Sequence, residues 1–211
     1  GEKIIFNGPN KTRKILERAI ADGAQINIDH LDELQLIESV AQGQGRYATV
    51  GLRLNFDTGF SEPWSRFGFN IESGQAHQAA KQVVISEHLR LKGLHSHIGT
   101  FILEPRAYCE QVKTMCKFMR DLEGREEVCI DTIDIGGGLP SHNALQGIYL
   151  PPDQVVPSIG EYAEAICNTL VEETMYRTRT NRPMPKLIIE SGRAVADDAQ
   201  VLLTSVVGKK R

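Results

Sequence analysis

Short apolar runs alternate with longer stretches of helical periodicity along most of the chain. Strands are predicted at residues 4–7, 25–28, 46–55, 94–98, 130–135 and 186–190, and helices at residues 11–22, 29–40, 75–92, 105–123 and 159–177. Two long loops interrupt this pattern, at residues 56–74 and 141–158. Six strand–helix alternations of this kind are typical of a parallel sheet with helices packed outside it.

Polar or small residues stand at the carboxyl ends of the predicted strands. These positions are occupied by Asn7, Asn55, His97, Gly136–Gly138 and Glu190. Open doubly wound sheets and eight-stranded barrels both place ligands at such ends, but an open sheet gathers them at one switch point. Candidates spread over at least four strands favour an α/β fold, a (β/α)8 TIM-type barrel of which this chain holds about six of eight units. We expect the two remaining units to precede residue 1.

Composition narrows the function classes. The 211 residues suffice for one sizeable domain, the net charge is −3, and no apolar run approaches the length of a membrane span. We therefore predict neither a nucleic-acid nor a membrane partner. The four cysteines form no Cys-x-x-Cys pair, so we predict no metal site and reduced thiols in a cytoplasmic protein.

The last three predicted strand ends carry groups of complementary chemistry. Thr100 offers a hydroxyl, Gly136–Gly138 offer backbone N–H groups without Cβ atoms, and Arg193 offers a guanidinium, a set that suits a phosphate. The imidazole of His97 can pack flat on a ring, and the carboxylate of Glu190 can keep a ring nitrogen protonated. These features describe a site for pyridoxal 5'-phosphate, an electron-sink cofactor. Taken alone, the three glycines are also compatible with a plain strand-to-helix turn.

Several segments of the chain match one enzyme family, in the family's order. They are residues 6–11, 26–29 with 33–34, 52–55, 66–69, 93–100, 134–140 and 190–193. The chain resembles the fold-type III pyridoxal-phosphate-dependent decarboxylases, the group of diaminopimelate, ornithine and arginine decarboxylases with an alanine-racemase-like barrel. The resemblance implies that residues 1–198 are part of a cofactor-binding barrel. It also implies that residues 199–211 begin the connection into a C-terminal β domain absent from this chain.

The resemblance implies roles for individual residues. His97 and Glu190 would act in catalysis, with His97 stacked on the cofactor ring and Glu190 bonded to the pyridine nitrogen. Arg193 would contact the phosphate and, as in diaminopimelate decarboxylases, the substrate carboxylate. The implied cofactor-binding residues are His97, Thr100, Gly136, Gly137, Gly138, Glu190, Gly192 and Arg193. Ser191 departs from the proline that is commoner in the family, which leaves the substrate more open than the cofactor.

Other polar residues admit further interpretations. His95 is interpreted as structural, on the strand face opposite to that of His97. Arg53 either points into the barrel toward the cofactor or forms a buried ion pair. His142 lies in a long loop, where it either faces substrate or plays no part in the site, and Arg66 would anchor its own loop.

The lysine that this family bonds to its cofactor has no counterpart in the sequence. In the family it belongs to a Tyr-x-x-Lys-Ala-like motif on the first barrel strand, and no such motif occurs here. Lys3, Lys11 and Lys14 lie on segments that match later strands. We therefore expect the lysine in a preceding segment, and we expect these 211 residues alone to be inactive.

The activity implied is pyridoxal-phosphate-dependent decarboxylation of a basic or diamino amino acid, by a cytoplasmic enzyme that is a homodimer at full length. We take meso-diaminopimelate, which yields lysine, as the first substrate, and ornithine or arginine as the alternatives. A non-catalytic barrel that binds proteins is the competing class, but such a module has no need of a carboxylate like that of Glu190. An open-sheet nucleotide-binding protein is disfavoured because no Gly-x-Gly-x-x-Gly loop follows an early strand.

Overall fold

The computed structural model describes residues 3–60, 64–126, 128–141, 149, 151–199 and 203–205. In these residues the strands are β1 (Ile5–Phe6), β2 (Gln25–Ile28), β3 (Ala48–Asn55), β4 (Phe69–Asn70), β5 (Leu89–Ser96), β6 (Thr132–Asp134) and β7 (Lys186–Ile188). The helices are α1 (Arg13–Ala21), α2 (Leu31–Gly43), α3 (Gln75–Ile85), α4 (Pro105–Arg125), α5 (Pro152–Val155), α6 (Ile159–Arg179) and α7 (Gly192–Ala196), with a 3-10 turn at Asp197–Ala199. No described helix combines the length and apolar content needed to cross a membrane.

The strands form one parallel sheet whose order follows the chain. The order is β1-β2-β3-β5-β6-β7, and the short β4 pairs with the end of β3. Within the described residues the order never reverses, so the sheet lacks the switch point that defines a doubly wound fold. This sequential order is the order of a barrel segment.

Neighbouring strands are in register, so that an apolar row crosses the sheet beside a polar row. The apolar row consists of Ile28, Leu52, Leu94, Ile133 and Leu187. One residue further along the strands, Arg53 pairs with His95, and His95 pairs with Asp134. Successive side chains of a strand point to opposite faces. The apolar row therefore packs with the helices in the buried core, and the polar row faces the inside of the curled sheet.

The two longest helices start at clear sequence signals. Helix α4 begins at Pro105, whose fixed φ suits a first helical turn. Helix α6 begins with a capping box, in which Ser158 Oγ accepts the N–H of Glu161 and Glu161 Oε2 accepts the N–H of Ser158. Helix α4 buries Val112 and Met115 completely. Because one face of α4 is buried, the helix holds in place the loops that join it to β5 and to β6.

Helix α3 is shorter than predicted. It ends at Ile85 rather than at residue 92, and β5 begins at Leu89 rather than at residue 94. Ser86 leaves the helix in an extended conformation, with φ −70° and ψ 135°. Leu89 and Leu91 are buried while Arg90 between them is exposed. This alternation is that of a strand, and the prediction missed it.

The sheet curls until the carboxyl ends of its first and last strands meet. Asn7 follows β1, and its Nδ2 donates to Oε1 of Glu190, which follows β7, at 2.8 Å. Six strands about 4.8 Å apart would hold these ends about 24 Å apart in a flat sheet. The contact therefore requires the curvature of a barrel wall.

Some predictions fall on residues that are described only in part. Loop 141–158 is described at residues 141, 149 and 151–158, where it contains α5, and His142 lies outside the described residues. The connection at residues 199–211 is described only at residues 199 and 203–205. The division into a barrel at 1–198 and a connection at 199–211 therefore stays a prediction.

Candidate active site

Three polar side chains of the inner row form the floor of the candidate site. Arg53 on β3, His95 on β5 and Asp134 on β6 occupy matching positions on adjacent strands. His95 and Asp134 are each 1% exposed, and Arg53 is 9% exposed. Buried polar groups are costly unless they are paired, so a layer of this kind indicates a functional rather than a structural position.

The interpretation of His95 as a structural residue facing away from the site is wrong. Its Nε2 lies 3.0 Å from Nδ2 of Asn7 and 3.7 Å from Oε1 of Glu190. Alternation places residues two apart on the same strand face, so it gives no reason to separate His95 from His97, and β5 in any case ends at Ser96. Burial lowers the pKa of His95 to about 3, and the positive charge of Arg53 acts in the same direction. His95 is therefore neutral at neutral pH.

The buried ion pair predicted for Arg53 is present, and its direction toward the cofactor stays a prediction. Its Nη1 lies 3.3 Å from Oδ1 of Asp29, which makes a buried ion pair. Its guanidinium also lies 4.6 Å from the ring centre of Phe67. The same positive charge lowers the pKa of His95 and of His97. Arg53 thus belongs to the inner polar row and supplies its fixed positive charge.

Two carboxylates meet next to His95. One ring nitrogen of His95 and one carboxylate oxygen each of Asp134 and Glu190 all lie within 4.8 Å of one another. Burial, followed by the charge of Glu190, raises the pKa of Asp134 to about 7, while the N–H of Gly136, which donates to Asp134 Oδ1 at 3.0 Å, opposes the rise. The Glu190 side chain is 37% exposed. A ligand can therefore reach Glu190, whereas Asp134 is closed off beneath it.

The glycine run, Gly136–Gly138, packs so closely that side chains at Gly136 and Gly137 would clash with neighbouring backbone. Gly136 has φ 68°, and a Cβ there would lie 2.8 Å from the carbonyl oxygen of Ser96. A Cβ on Gly137 would lie 2.5 Å from the carbonyl oxygen of Glu190. Contacts this short exclude any other residue. The plain-turn alternative leaves this tight packing of the loop against Glu190 unexplained.

The carbonyl groups of the glycine run are turned toward protein donors. The oxygen of Gly136 accepts the N–H of Glu190 at 2.8 Å. The oxygen of Gly137 accepts the hydroxyl of Tyr108 at 3.1 Å, and that of Gly138 accepts the N–H of Ile102 at 2.9 Å. The N–H of Gly136 donates to Asp134 Oδ1. With its carbonyls held in this way, the loop can present the N–H groups of Gly137 and Gly138 to an anion.

The predicted phosphate contacts lie around the loop that follows β5. Thr100 is exposed in this loop, two residues before the Ile102 N–H that is bonded to Gly138. Phe101 adopts a left-handed conformation, with φ 57°, and its ring lies 5.6 Å from the guanidinium of Arg193. Arg193 is in the first turn of α7, which begins at Gly192, and its side chain is 46% exposed. Thr100, the glycine run and Arg193 therefore border one region.

The ring of His97 lies between this loop and a tryptophan. A Cβ on Gly136 would lie 3.1 Å from His97 Cδ2, and one on Gly137 would lie 3.7 Å from Nε2. One face of the ring is stacked on Trp64, with ring centres 5.0 Å apart and planes 4° from parallel. Burial lowers the pKa of His97, and Arg53 adds to this, whereas Glu190 opposes it.

These groups fit pyridoxal phosphate by their own geometry. The glycine run is a cradle that a Cβ would fill, and Glu190 offers an accessible carboxylate beside it. His95 Nδ1 and Asp134 Oδ2 are buried without a hydrogen-bond partner among the described residues, which is costly in a purely structural layer. His97, Gly136–Gly138 and Glu190 are brought together, with Thr100, Gly192 and Arg193 at the margin. Their individual roles stay predictions.

Lys11 is not available to bond a cofactor. Its side chain is completely buried. Its Nζ donates to the carbonyl oxygen of Gly8 at 2.5 Å, to that of Asn27 at 2.8 Å and to Oε1 of Glu33 at 2.8 Å. An ammonium group has three protons, and all three are used.

Sequence reasoning underrated three residues of the site. Asp134 lies in a segment that matches the family, and Trp64 lies in the long loop at residues 56–74, but the sequence pattern assigns a role to neither. Asn7 was placed at a strand end without a partner. The register of β5 with β6 was the missing signal for Asp134, and contacts distant in sequence were missing for the other two. The guanidinium of Arg66 lies 5.6 Å from the ring centre of Phe67 in the same loop, and its role as an anchor stays a prediction.

Comparison with known proteins gives the same family from independent matches. The family model described as "Pyridoxal-dependent decarboxylase, pyridoxal binding domain" matches residues 1–197. The diaminopimelate decarboxylase of Methanocaldococcus jannaschii is 31% identical, and the match covers 97% of this chain and 46% of that protein.

Solved structures agree in fold. The crystal structure of that diaminopimelate decarboxylase in complex with L-lysine has a TM-score of 0.75 at 27% identity, covering 92% of this chain and 44% of that chain. The structure of lysine/ornithine decarboxylase from Vibrio vulnificus, complexed with putrescine, has a TM-score of 0.61 at 25% identity and covers 89% and 43%. The chain spans about half the length of the relatives it matches.

The predicted fold, an α/β barrel of the TIM type with about six units in this chain, is confirmed by these matches and by the sequential strand order. The predicted cofactor, pyridoxal phosphate, is confirmed by the family model. The chain belongs to the pyridoxal-dependent decarboxylases and carries their pyridoxal binding domain.

Proposed function

We propose that the whole protein decarboxylates meso-diaminopimelate to lysine with pyridoxal phosphate. The observation that carries the proposal is the meeting of Glu190, His97 and Gly136–Gly138 at one edge of the curled sheet. This arrangement offers a ring-nitrogen partner, a stacking ring and an anion cradle on one side of the domain. When bound, pyridoxal phosphate supplies an electron sink for the electron pair left as carbon dioxide departs.

Each residue of the proposal has a distinct task. Glu190 accepts a hydrogen bond from the protonated ring nitrogen. Its Oε1 is held in place by the Nδ2 of Asn7, which donates to it at 2.8 Å. His97 packs flat on the ring as a neutral imidazole, since burial lowers its pKa. The loop Gly136–Gly138 holds the phosphate through the N–H groups of Gly137 and Gly138. The hydroxyl of Thr100 and the guanidinium of Arg193 add donors at the rim.

The choice of substrate rests on two supports. The relative whose match covers 97% of this chain is a diaminopimelate decarboxylase. A structure of that enzyme was solved in complex with L-lysine. In this chain, the partly exposed Arg193 offers a cation for the second carboxylate that diaminopimelate has and ornithine lacks. An ornithine- or arginine-type activity is the second candidate, supported by the likeness to lysine/ornithine decarboxylase.

The proposal extends to the setting of the enzyme. We place the full-length protein in the cytoplasm, in keeping with the four free cysteine thiols of this chain. We also propose that it is a homodimer, as the family resemblance implies. Sedimentation of the full-length protein tests the dimer. A monomer with full activity would contradict it.

Product analysis tests the activity. The purified full-length protein, supplied with pyridoxal phosphate, is given meso-diaminopimelate, ornithine and arginine at equal concentration, and amines are identified by mass spectrometry. We expect lysine from diaminopimelate at a rate at least about tenfold above either competitor, which corresponds to about 1.4 kcal/mol of discrimination. Putrescine or agmatine as the main product would support the second candidate, and no product from any of the three would refute the proposal.

A further inference from the structure

The loop between β3 and α3 places a tryptophan against the histidine that is expected to stack on the cofactor. Trp64 and His97 are stacked with ring centres 5.0 Å apart and planes 4° from parallel. Trp64 is the single tryptophan of the chain. The role expected of His97 is stacking on the cofactor ring, so its contact with Trp64 needs an explanation of its own.

The segment that carries Trp64 is fixed from below by β3. The amide of Asn55, the last residue of β3, donates to the carbonyl oxygens of Phe67 at 2.7 Å and of Gly68 at 3.0 Å. The guanidinium of Arg53 lies over the ring of Phe67. Gly68 has φ 75°, and a Cβ there would lie 2.6 Å from the carbonyl oxygen of Arg53. The segment is therefore built to lie close to β3, which holds Trp64 over His97.

Trp64 reaches His97 from the segment that follows β3, whereas the glycine run reaches it from the end of β6. A cavity beside Trp64 and His97 is lined by Asn55, Phe56, Thr58, Trp64, Ser96, His97 and Ile98, and its volume is about 10 Å³. This is about the space of one water molecule at most, so no cofactor ring fits there. Gly136, Gly137 and Glu190 approach His97 from β6 and β7 instead.

We propose that Trp64 is a positioning residue, which backs the imidazole of His97 so that the cofactor ring stacks on the opposite face. The inference rests on the proposed function, because it needs a cofactor ring on His97. A histidine ring on a loop can rotate about its Cβ–Cγ bond. A parallel indole on one face fixes the plane of the imidazole before the cofactor binds, and it excludes water from that face.

Cofactor affinity of the full-length protein is the first measurement. Trp64→Leu removes the aromatic plane and keeps an apolar side chain, Trp64→Phe keeps a plane, and Phe60→Leu is the matched control because Phe60 lies in the same loop and is 46% exposed. We expect Trp64→Leu to raise the dissociation constant for pyridoxal phosphate roughly 2- to 12-fold, the range for loss of an aromatic pair. Trp64→Phe should stay within about twofold of wild type, and Phe60→Leu should be unchanged.

The outcomes separate this inference from the proposed function. Tighter binding by Trp64→Leu would mean that Trp64 occupies the cofactor's side of His97, and unchanged binding would mean that it does not position the ring; either result overturns the inference alone. A wild-type protein that binds no pyridoxal phosphate would refute the proposed function, and the inference with it.

The pKa of His97 in cofactor-free protein is the second measurement. Within the part of the chain that the structure describes, the charged or titratable groups that act on His97 are Arg53, His95 and Glu190, and all three are kept in these variants. Trp64→Leu admits water to the imidazole, so the pKa of His97, followed by NMR, should rise toward its ordinary value of 6.5. Trp64→Phe should leave the pKa low. An unaltered His97 titration in Trp64→Leu would overturn the inference even if cofactor binding changed.

Discussion

The amide of Asn7 joins the two ends of the sheet through Glu190. Its Nδ2 donates one proton to Glu190 Oε1 at 2.8 Å and lies 3.0 Å from His95 Nε2. Because His95 is neutral at neutral pH, its Nε2 can accept the second amide proton. One asparagine thus orients the carboxylate that we assign to the cofactor's ring nitrogen.

Asn7→Ala removes this orientation and should lower turnover more than substrate binding. We expect kcat of the full-length enzyme to fall about tenfold with KM little changed, near the lower limit for a hydrogen bond to a charged group because Glu190 is partly exposed. Steady-state kinetics measure the effect. Asn10→Ala, an exposed asparagine in the same segment, serves as the control. A kcat equal to that of wild type would show that Asn7 has no part in holding Glu190.

Glu190→Ala should separate cofactor binding from chemistry. The phosphate contacts remain, so pyridoxal phosphate should still bind, but the ring nitrogen loses its partner. We expect decarboxylation to slow by about 10³-fold, the scale for loss of one preorganised electrostatic group. Cofactor absorbance and product formation are measured on the same sample, with Glu164→Ala on the exposed face of α6 as control. Near-normal turnover would remove Glu190 from the site.

Arg193→Ala should weaken the hold on phosphate. Among the described residues, Arg193 makes a long ion pair, 3.8 Å to Asp197, beside its contact with Phe101. Loss of one charged donor should raise the dissociation constant for pyridoxal phosphate roughly 10- to 100-fold. Equilibrium dialysis measures it, with the exposed Arg106→Ala as control. Unchanged cofactor affinity together with a higher KM for diaminopimelate would assign Arg193 to the substrate carboxylate instead.

Asp134→Asn should alter the dependence of stability on pH. Burial raises the pKa of Asp134 from 3.8 to about 7 in the folded protein, so the folded state binds this proton more tightly than the unfolded chain does. The stabilisation from this group is complete below pH 3.8 and is lost as pH rises through 7. Asparagine cannot titrate, so the variant should gain roughly 1–4 kcal/mol of unfolding free energy relative to wild type between pH 4 and pH 8.

Urea unfolding of both proteins across this pH range is the measurement. His95 contributes with the opposite sign, since its pKa falls from 6.5 to about 3 on folding, but it is present in both proteins and cancels in their difference. Asp131→Asn is the control, because the Asp131 side chain is 49% exposed. A difference between wild type and Asp134→Asn that does not vary with pH would contradict the buried, protonated carboxyl.

The isolated 211-residue chain should not carry a lysine-linked cofactor. Lys11, whose charge acts on His95 in the inner polar row, already donates all three of its protons. After incubation with pyridoxal phosphate and borohydride reduction, peptide mapping should find no single modified lysine, and no amino acid should be decarboxylated. The full-length protein is the positive control. One specifically modified lysine within these residues would show that the bond forms inside this chain.

Local sequence patterns determined the elements and much of the chemistry of this protein. Apolar runs closed by Asn7, His97, the glycine run and Glu190 could be recognised as strand ends, because strand alternation and glycine backbones act over a few residues. Parallel strands bring such ends to one edge, so the meeting of these groups followed from the fold class. The alternation of Leu89 and Leu91 was equally local, and only its misreading put the boundary of α3 too late.

Tertiary structure alone decided which neighbours these groups have. The position of His95 beside Asp134 depends on the register of β5 with β6, and the raised pKa of Asp134 depends on its burial beneath Glu190. The contacts of Asn7 with Glu190 and of Trp64 with His97 depend on the curl of the sheet and the anchoring of one loop. Register, curl and loop placement arise from pairing between distant segments, and no periodicity within one segment records them.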